Sequence, residues 1–266
     1  MKLTWTGTDD PSCVGPGTTV SQTGSSTPEA DGEAWSGYVA QGDFSSSTVH
    51  ARVLLPQITC NAAGIVSIWV GYDGFTNGTV EQDGVSGRCS GAGATPTYYL
   101  WYELYKDKLF GTFPYQYVSN ISEVKVAGSL WSKLKPGVAV DMFVNRIPPD
   151  RLHGIPLGRD SIFFSLSVYN STHTKIGSWS KTVKEPPFFS PKYANSECIV
   201  ETPSFGANPL PNFGTITFQG CSAIDSGSRL TRLYLTHKAD VLDSVDNYTR
   251  NVNGENQFLV HWLASR

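Results

Sequence analysis

The chain has 266 residues, of which 16% are charged and 12% aromatic, with 26 Gly and 16 Pro. A net charge of −3 and a pI near 5.9 exclude the basic footprint of a nucleic-acid binder. No apolar run nears the roughly 18 residues of a membrane-spanning helix, so no membrane partner is expected.

Few charges, many turn formers and many aromatics favour strands over helices. Residues 1–33 are rich in Gly, Ser, Thr, Pro and Asp and lack periodicity. They read as a loop-like lead-in to a single domain over 34–266. From Trp35 onward, short runs of period two alternate with turns. "STVHARVLLP" sets Val49, Ala51, Val53 and Leu55 on one face. "SIFFSLSVYNS" does the same with Ile162, Phe164, Leu166 and Val168, and "GVAVDMFVN", "GTITFQG" and "NQFLVHWL" behave likewise. No segment keeps a 3.6-residue stripe for three turns. The pattern predicts an all-β fold, an antiparallel two-sheet β-sandwich of jelly-roll or concanavalin-like type, with little helix.

Two strands carry aromatic and acidic residues together on their second face. In "GIVSIWVGYDG", Val66, Ile68, Val70 and Tyr72 form an apolar face, and Ser67, Trp69, Gly71 and Asp73 form the other. In "TYYLWYELY", Leu100, Tyr102 and Leu104 oppose Tyr99, Trp101, Glu103 and Tyr105. A solvated sheet face usually carries Thr, Ser and Lys, whereas tryptophans with carboxylates suggest a lined cleft; a second core layer would need partners for its buried carboxylates.

The commoner hydrolase signatures are missing. There is no G-x-S-x-G elbow and no H-E-x-x-H helix, and the five histidines are scattered. "IDSGS" at 224–228 has no second copy to form an aspartate dyad. No metal and no cofactor is implied. What remains are the carboxylates Asp73, Glu103, Glu197 and Glu201, with the amide of Gln82. Period two in "NSECIVETP" puts Glu197, Ile199 and Glu201 on one face.

"AWSGYVA", "SIWVGYDGFTNGTVEQDG", "YYLWYELY" and "SECIVETPSFG…NFGTITF" resemble, in that order, the segments of the glutamic peptidases, or eqolisins, in a bacterial-type form. The resemblance covers about Trp35 to Phe218. It implies an endopeptidase working in acid through a Gln–Glu dyad on the concave sheet of a sandwich. The family's glutamine falls on Gln82 and its glutamate on Glu201; its cleft residues fall on Trp35, Trp69, Asp73, Trp101 and Glu103. Glu201 would activate water and Gln82 would stabilise the oxyanion. An ordinary Glu pKa of about 4.3 suits a base in mild acid. This chain departs from the family at Tyr99, Lys106 and Cys198. Polypeptide substrates and a monomeric state are expected.

Five widely spaced cysteines, with no C-x-x-C, suggest disulfides rather than zinc. Cys60 and Cys89 are expected to pair, Cys198 and Cys221 flank an apparent hairpin and leave pairing open, and Cys13 is expected to be free. The segment "MKLTWTGTDD" has no apolar signal core, so the protein is either cytoplasmic or starts after a removed leader. The resemblance implies the secreted alternative. A competing reading is a sugar-binding or glycoside-hydrolysing jelly roll, with Glu103 and Glu201 as its carboxylate pair.

Overall fold

The computed structural model describes residues 29–31, 34–106, 122–123, 131–152, 155–156, 158–186, 189, 191–203, 209–225, 229–234, 236–237, 240–241, 243–247, 249–250 and 254–263. In chain order come β1 (Glu29–Asp31), β2 (Trp35–Gln41), β3 (Thr48–Leu54), β4 (Ala63–Tyr72), β5 (Thr79–Ser90), β6 (Thr97–Lys106) and β7 (Ser122–Glu123). There follow β8 (Ala139–Ile147), β9 (Arg151–Leu152), β10 (Ile155–Pro156), β11 (Ser161–Tyr169), β12 (Lys175–Lys184), β13 (Asn195–Glu201) and β14 (Thr215–Gln219). The four-residue helix α1 (Ser222–Asp225) precedes β15 (Arg229–Tyr234), β16 (Thr236–His237), β17 (Asp240–Val241), β18 (Asp243–Val245), β19 (Thr249–Arg250) and β20 (Asn256–Trp262).

These strands form two large sheets. The first has the order β1-β15-β2-β13-β4-β5-β6-β7, the second β12-β11-β8-β3-β14-β20-β18. Pairing is antiparallel throughout both, except that β1 runs parallel to β15. The expected two-sheet β-sandwich is therefore present, and α1 is its only α-helix among the described residues. One boundary differs: Glu29–Asp31, placed in the loop-like lead-in, form strand β1. A three-residue edge strand held by backbone pairing leaves no composition signal. Cys13 and the rest of the lead-in before 29 fall outside the described residues.

The apolar faces read from period two meet between the sheets. Val66, Ile68, Val70 and Tyr72 of β4 and Leu100, Tyr102 and Leu104 of β6 pack with Val140, Met142 and Val144 of β8 and Phe164, Leu166 and Val168 of β11. At one open edge, the Tyr102 ring stacks on Trp179 of β12 with centroids 5.0 Å apart, and Lys181 Nζ donates to its hydroxyl at 2.7 Å. Cys60 and Cys89 are bridged as expected, with Cα atoms 5.4 Å apart. Cys198 is bridged to Cys221. The hairpin expected between these two is not formed: β13 belongs to the first sheet and β14 to the second, so the bond joins the sheets rather than two paired strands.

Strand β5 places two acids on its core side. Its even residues share the outer face with Gln82, and its odd residues share the inner face with Val85 and Cys89. Glu81 and Asp83 are fully buried there. Asp83 reaches the opposite sheet, accepting the Ser165 N–H at 3.1 Å. Burial pushes both carboxyls well above their ordinary range; for Glu81 the charges of Asp73, Glu185 and Glu197 push the same way. Raised carboxyl pKa values mean that the folded chain holds more protons than the unfolded chain. The associated stability is complete below the ordinary carboxylate range and is lost as pH rises through the raised values. The melting temperature should thus be highest near pH 3–4, on the scale of ordinary carboxyl pKa values, and fall through neutrality, with Glu81→Gln flattening the fall. Calorimetry across this range checks it, and a melting temperature that climbs toward neutral pH would contradict the inward placement.

Candidate active site

The outer face of the first sheet is set by the registers of four adjacent strands. Across β13, β4, β5 and β6, three rows of residues lie side by side. One is Glu197, Gly71, Gln82 and Glu103; the next is Ile199, Trp69, Gly84 and Trp101; the third is Glu201, Ser67, Ser86 and Tyr99. Side chains alternate along each strand, so all twelve positions face the same way. Trp35 enters from β2 beside Glu201. Gln82, Glu201, Trp35, Trp69, Trp101 and Glu103, all singled out from sequence, are thereby brought to one face.

Two glycines make this floor flat. A Cβ on Gly84 would sit 2.4 Å from the Ile68 carbonyl oxygen, 2.8 Å from the Trp69 Cβ and 3.0 Å from the Trp101 ring. A Cβ on Gly71 would sit 2.7 Å from the Glu81 carbonyl oxygen. Any other residue at either place would lift the aromatic rings or part the strands. Val39, Val80, Tyr99, Ile199 and Leu233 complete a second apolar cluster around Trp69 and Trp101, with Phe75 packed on it. Tyr99 falls on the face that parity gave it, whereas Phe75, in the loop after β4, was not singled out from sequence because nothing local marks a loop residue.

Two pairs of polar groups lie over this floor. Trp69 Nε1 donates to Glu201 Oε2 at 2.8 Å. The Trp35 ring meets Trp69 edge-on at 4.9 Å, and its indole also bonds Glu201. Gln82 Nε2 donates to Glu103 Oε2 at 2.8 Å. Gln82 Oε1 and Trp101 Nε1 are buried with no hydrogen-bond partner among the described residues. Burial drives the pKa of Glu201 up to about 7; the Trp69 bond opposes this and the charge of Glu103 adds to it. This departs from the ordinary carboxylate expected from sequence, because strand parity reports a face but not the depth of burial. Glu197, in the Gln82 row, is also held well above its ordinary range, by burial and by the charge of Asp73.

Asp73 departs from its expected place on the cleft wall. It is fully buried, at φ 64°, just past the end of β4. Its Oδ1 accepts from Asn77 Nδ2 and the Ala194 N–H, each at 2.8 Å; its Oδ2 accepts from the Lys192 and Tyr193 N–H groups, each at 2.7 Å. The positive φ turns the chain off the strand axis, so alternation no longer predicts the direction of the side chain. Asp73 instead braces the segment entering β13, the strand that carries Glu201. Gly74, at φ 99°, follows it, and a Cβ there would sit 2.6 Å from the Trp35 ring. The loop after β4 thus packs directly on a tryptophan of the site.

Residues 33–128 match the Peptidase A4 family. Comparison with curated protein sequences finds no match. Among solved structures, the chain is similar to scytalido-glutamic peptidase bound to a transition-state analogue inhibitor, with 18% identity and a TM-score of 0.57, covering 88% of this chain and 100% of that one. It is also similar to a member of the eqolisin family of peptidases in complex with the tripeptide Ala-Ile-His, with 17% identity and a TM-score of 0.53, again over 88% and 100% of the two chains. The chain is thus similar in sequence to the Peptidase A4 family over residues 33–128, and in fold to these two peptidase structures over 88% of its length.

Proposed function

We propose that the protein is an acid-acting endopeptidase in which Glu201 activates the attacking water and Gln82 stabilises the oxyanion. The observation that carries this reading is the arrangement itself: Gln82 tied to Glu103, and the charge of Glu103 bearing on Glu201, over a floor of tryptophans. An extended peptide laid along the sheet would set alternate side chains toward that floor.

In the proposed step, Glu201 takes a proton from water as the water oxygen bonds to the scissile carbonyl carbon. The carbonyl oxygen gains negative charge, and an N–H of Gln82 donates to it. The proton on Glu201 then passes to the amide nitrogen, the C–N bond breaks, and an acid and an amine leave. The bond to Glu103 uses one N–H of Gln82 and orients the amide, so that the second N–H can serve the substrate. The two indoles hold Glu201 in place while leaving its charge available.

The raised pKa of Glu201 shapes the pH dependence. A general base with a pKa of about 7 is only fractionally ionised in acid, so kcat/KM should fall as pH drops below that value, to which the charge of Glu103 contributes. Two disulfides suit export to an oxidising compartment, and secretion as a monomer with polypeptide substrates follows from the same reading. A glycosidase would use Glu103 and Glu201 directly and leave Gln82 without a part.

Glu201→Gln should abolish cleavage of casein in acid while the protein stays folded by circular dichroism. Gln82→Ala should lower kcat by about 10²–10³-fold, the effect of removing one oxyanion donor. Full turnover in Gln82→Ala, or hydrolysis of a glycan and not of casein by the wild type, would overturn the reading.

Glu103→Gln keeps an acceptor for the Gln82 amide and removes a charge that raises the pKa of Glu201. The pKa of Glu201 should fall, so the acid limb of the kcat/KM profile should move to lower pH. A limb that stays in place or moves upward would show that Glu103 does not act on Glu201.

A further inference from the structure

The row that holds Gln82 has an acid on each side of it. On the β6 side, Glu103 takes an N–H of the Gln82 amide. On the β13 side stands Glu197, and Gly71 of β4 lies between it and Gln82. Glu197 is fully buried, and neither of its carboxyl oxygens has a hydrogen-bond partner among the described residues. The Phe75 N–H bears on it electrostatically but stands outside hydrogen-bond geometry. Gln82 Oε1 is buried and unpartnered in the same way. Two side chains that lack polar partners thus flank a position of the row that carries no side chain.

We propose that Glu197 is a positioning residue for Gln82: its carboxyl O–H holds the Gln82 amide oxygen through one water over Gly71, and so fixes the amide from the side opposite Glu103. The proposal rests on the peptidase reading above and adds to it a second anchor for the oxyanion donor. Buried polar atoms without a protein partner are met by ordered water, which needs two or more polar partners of its own. Glu197 and Gln82 supply them. Strands about 4.8 Å apart put their Cα atoms roughly 10 Å from one another across β4, a gap that the two side chains and one water span. Gly71 keeps that gap clear, because a Cβ there would sit 3.0 Å from the Gln82 Cβ.

The donors and acceptors also match. Burial and the charges of Asp73 and Glu201 hold the Glu197 carboxyl well above its ordinary range, so in acid it keeps its proton. The O–H donates to the water, and the water donates to Gln82 Oε1. Were packing its only task, an apolar residue would serve at 197, as Ile199 does two places on in the same strand. With Oε1 and one N–H both held, the planar amide has one orientation. Its second N–H is then aimed before the substrate arrives.

The experiment is a double-mutant cycle in peptide cleavage, with kcat normalised to the folded fraction by circular dichroism. Glu197→Leu should lower kcat about tenfold with KM little changed, a part of the loss of about 10²–10³-fold expected when the donor itself is removed. Glu197→Gln keeps a donor and an acceptor at the same reach and should recover most of that loss. In a Gln82→Ala background, Glu197→Leu should change kcat by less than about twofold, because the group it acts through is gone. Crystals of the wild type grown in acid should show a water within about 3.2 Å of both Gln82 Oε1 and a Glu197 oxygen, a test that holds even if Glu197→Leu does not fold. Full turnover in Glu197→Leu, an equal loss with and without Gln82, a Glu197→Gln as poor as Glu197→Leu, or no bridging water overturns this proposal. Each of these leaves the peptidase reading standing as long as Gln82→Ala itself loses turnover. A wild type that cleaves no peptide overturns both.

Discussion

The register of β4 against β5 and β6 is the constraint on which both faces of the first sheet depend. Side chains alternate with a period of two, so a slip of one residue in β5 would carry Gln82 into the core and Glu81 and Asp83 out of it. The register is held from both sides. Inside, Val85 and Cys89 pack in the core, the Cys60–Cys89 bridge fixes the far end of the strand, and Asp83 bonds across to Ser165. Outside, Gly71 and Gly84 leave room only for the rows as observed. The placement of the candidate site is thus a consequence of core packing rather than of the site residues themselves.

Much of this was legible in the sequence because strands report their own parity. The apolar set of each long strand and the aromatic-acidic set of β4 and β6 fall where period two puts them, on opposite faces of one sheet. What sequence could not report was anything set by a departure from regular backbone or by depth. Asp73 leaves the alternation at a positive φ and becomes a brace for the segment before β13. Cys198 and Cys221 look like flanks of a hairpin, yet their strands belong to different sheets, because sequence order is not sheet order. Nothing in the sequence marks Glu81 and Asp83 as buried, and only the second sheet lying against them shows that they are.

The brace and Glu201 are mechanically connected. Asp73 collects three successive backbone N–H groups from Lys192, Tyr193 and Ala194, and these lead into the strand that ends at Glu201. Tyr193 donates to Glu185 at 2.5 Å, and Arg146 lies over its ring, with the Arg146 guanidinium also bonded to Asp160 at 2.6 Å. The position of Glu201 along its strand is therefore fixed from a point remote from the tryptophans that bind its carboxylate. Such support from outside the immediate site keeps catalytic geometry within narrow limits.

The same acids explain why position 82 carries an amide. Gln82 sits in β5 between Glu81 and Asp83, beside Glu103 and in the row of Glu197. The carboxyls of Glu81, Asp83, Glu197 and Glu201 are all held above their ordinary range, chiefly by burial. A glutamate at 82 would add another buried acid to this group. On the proposed reading it would either take a proton, with its hydroxyl then free to point away from the substrate, or add a charge that opposes the oxyanion. The amide avoids both outcomes. It carries no charge at any pH, it keeps two donors, and Glu103 fixes one of them, which leaves the other available. In a face so rich in acids, a neutral donor is the one group that can stabilise a developing negative charge without itself titrating.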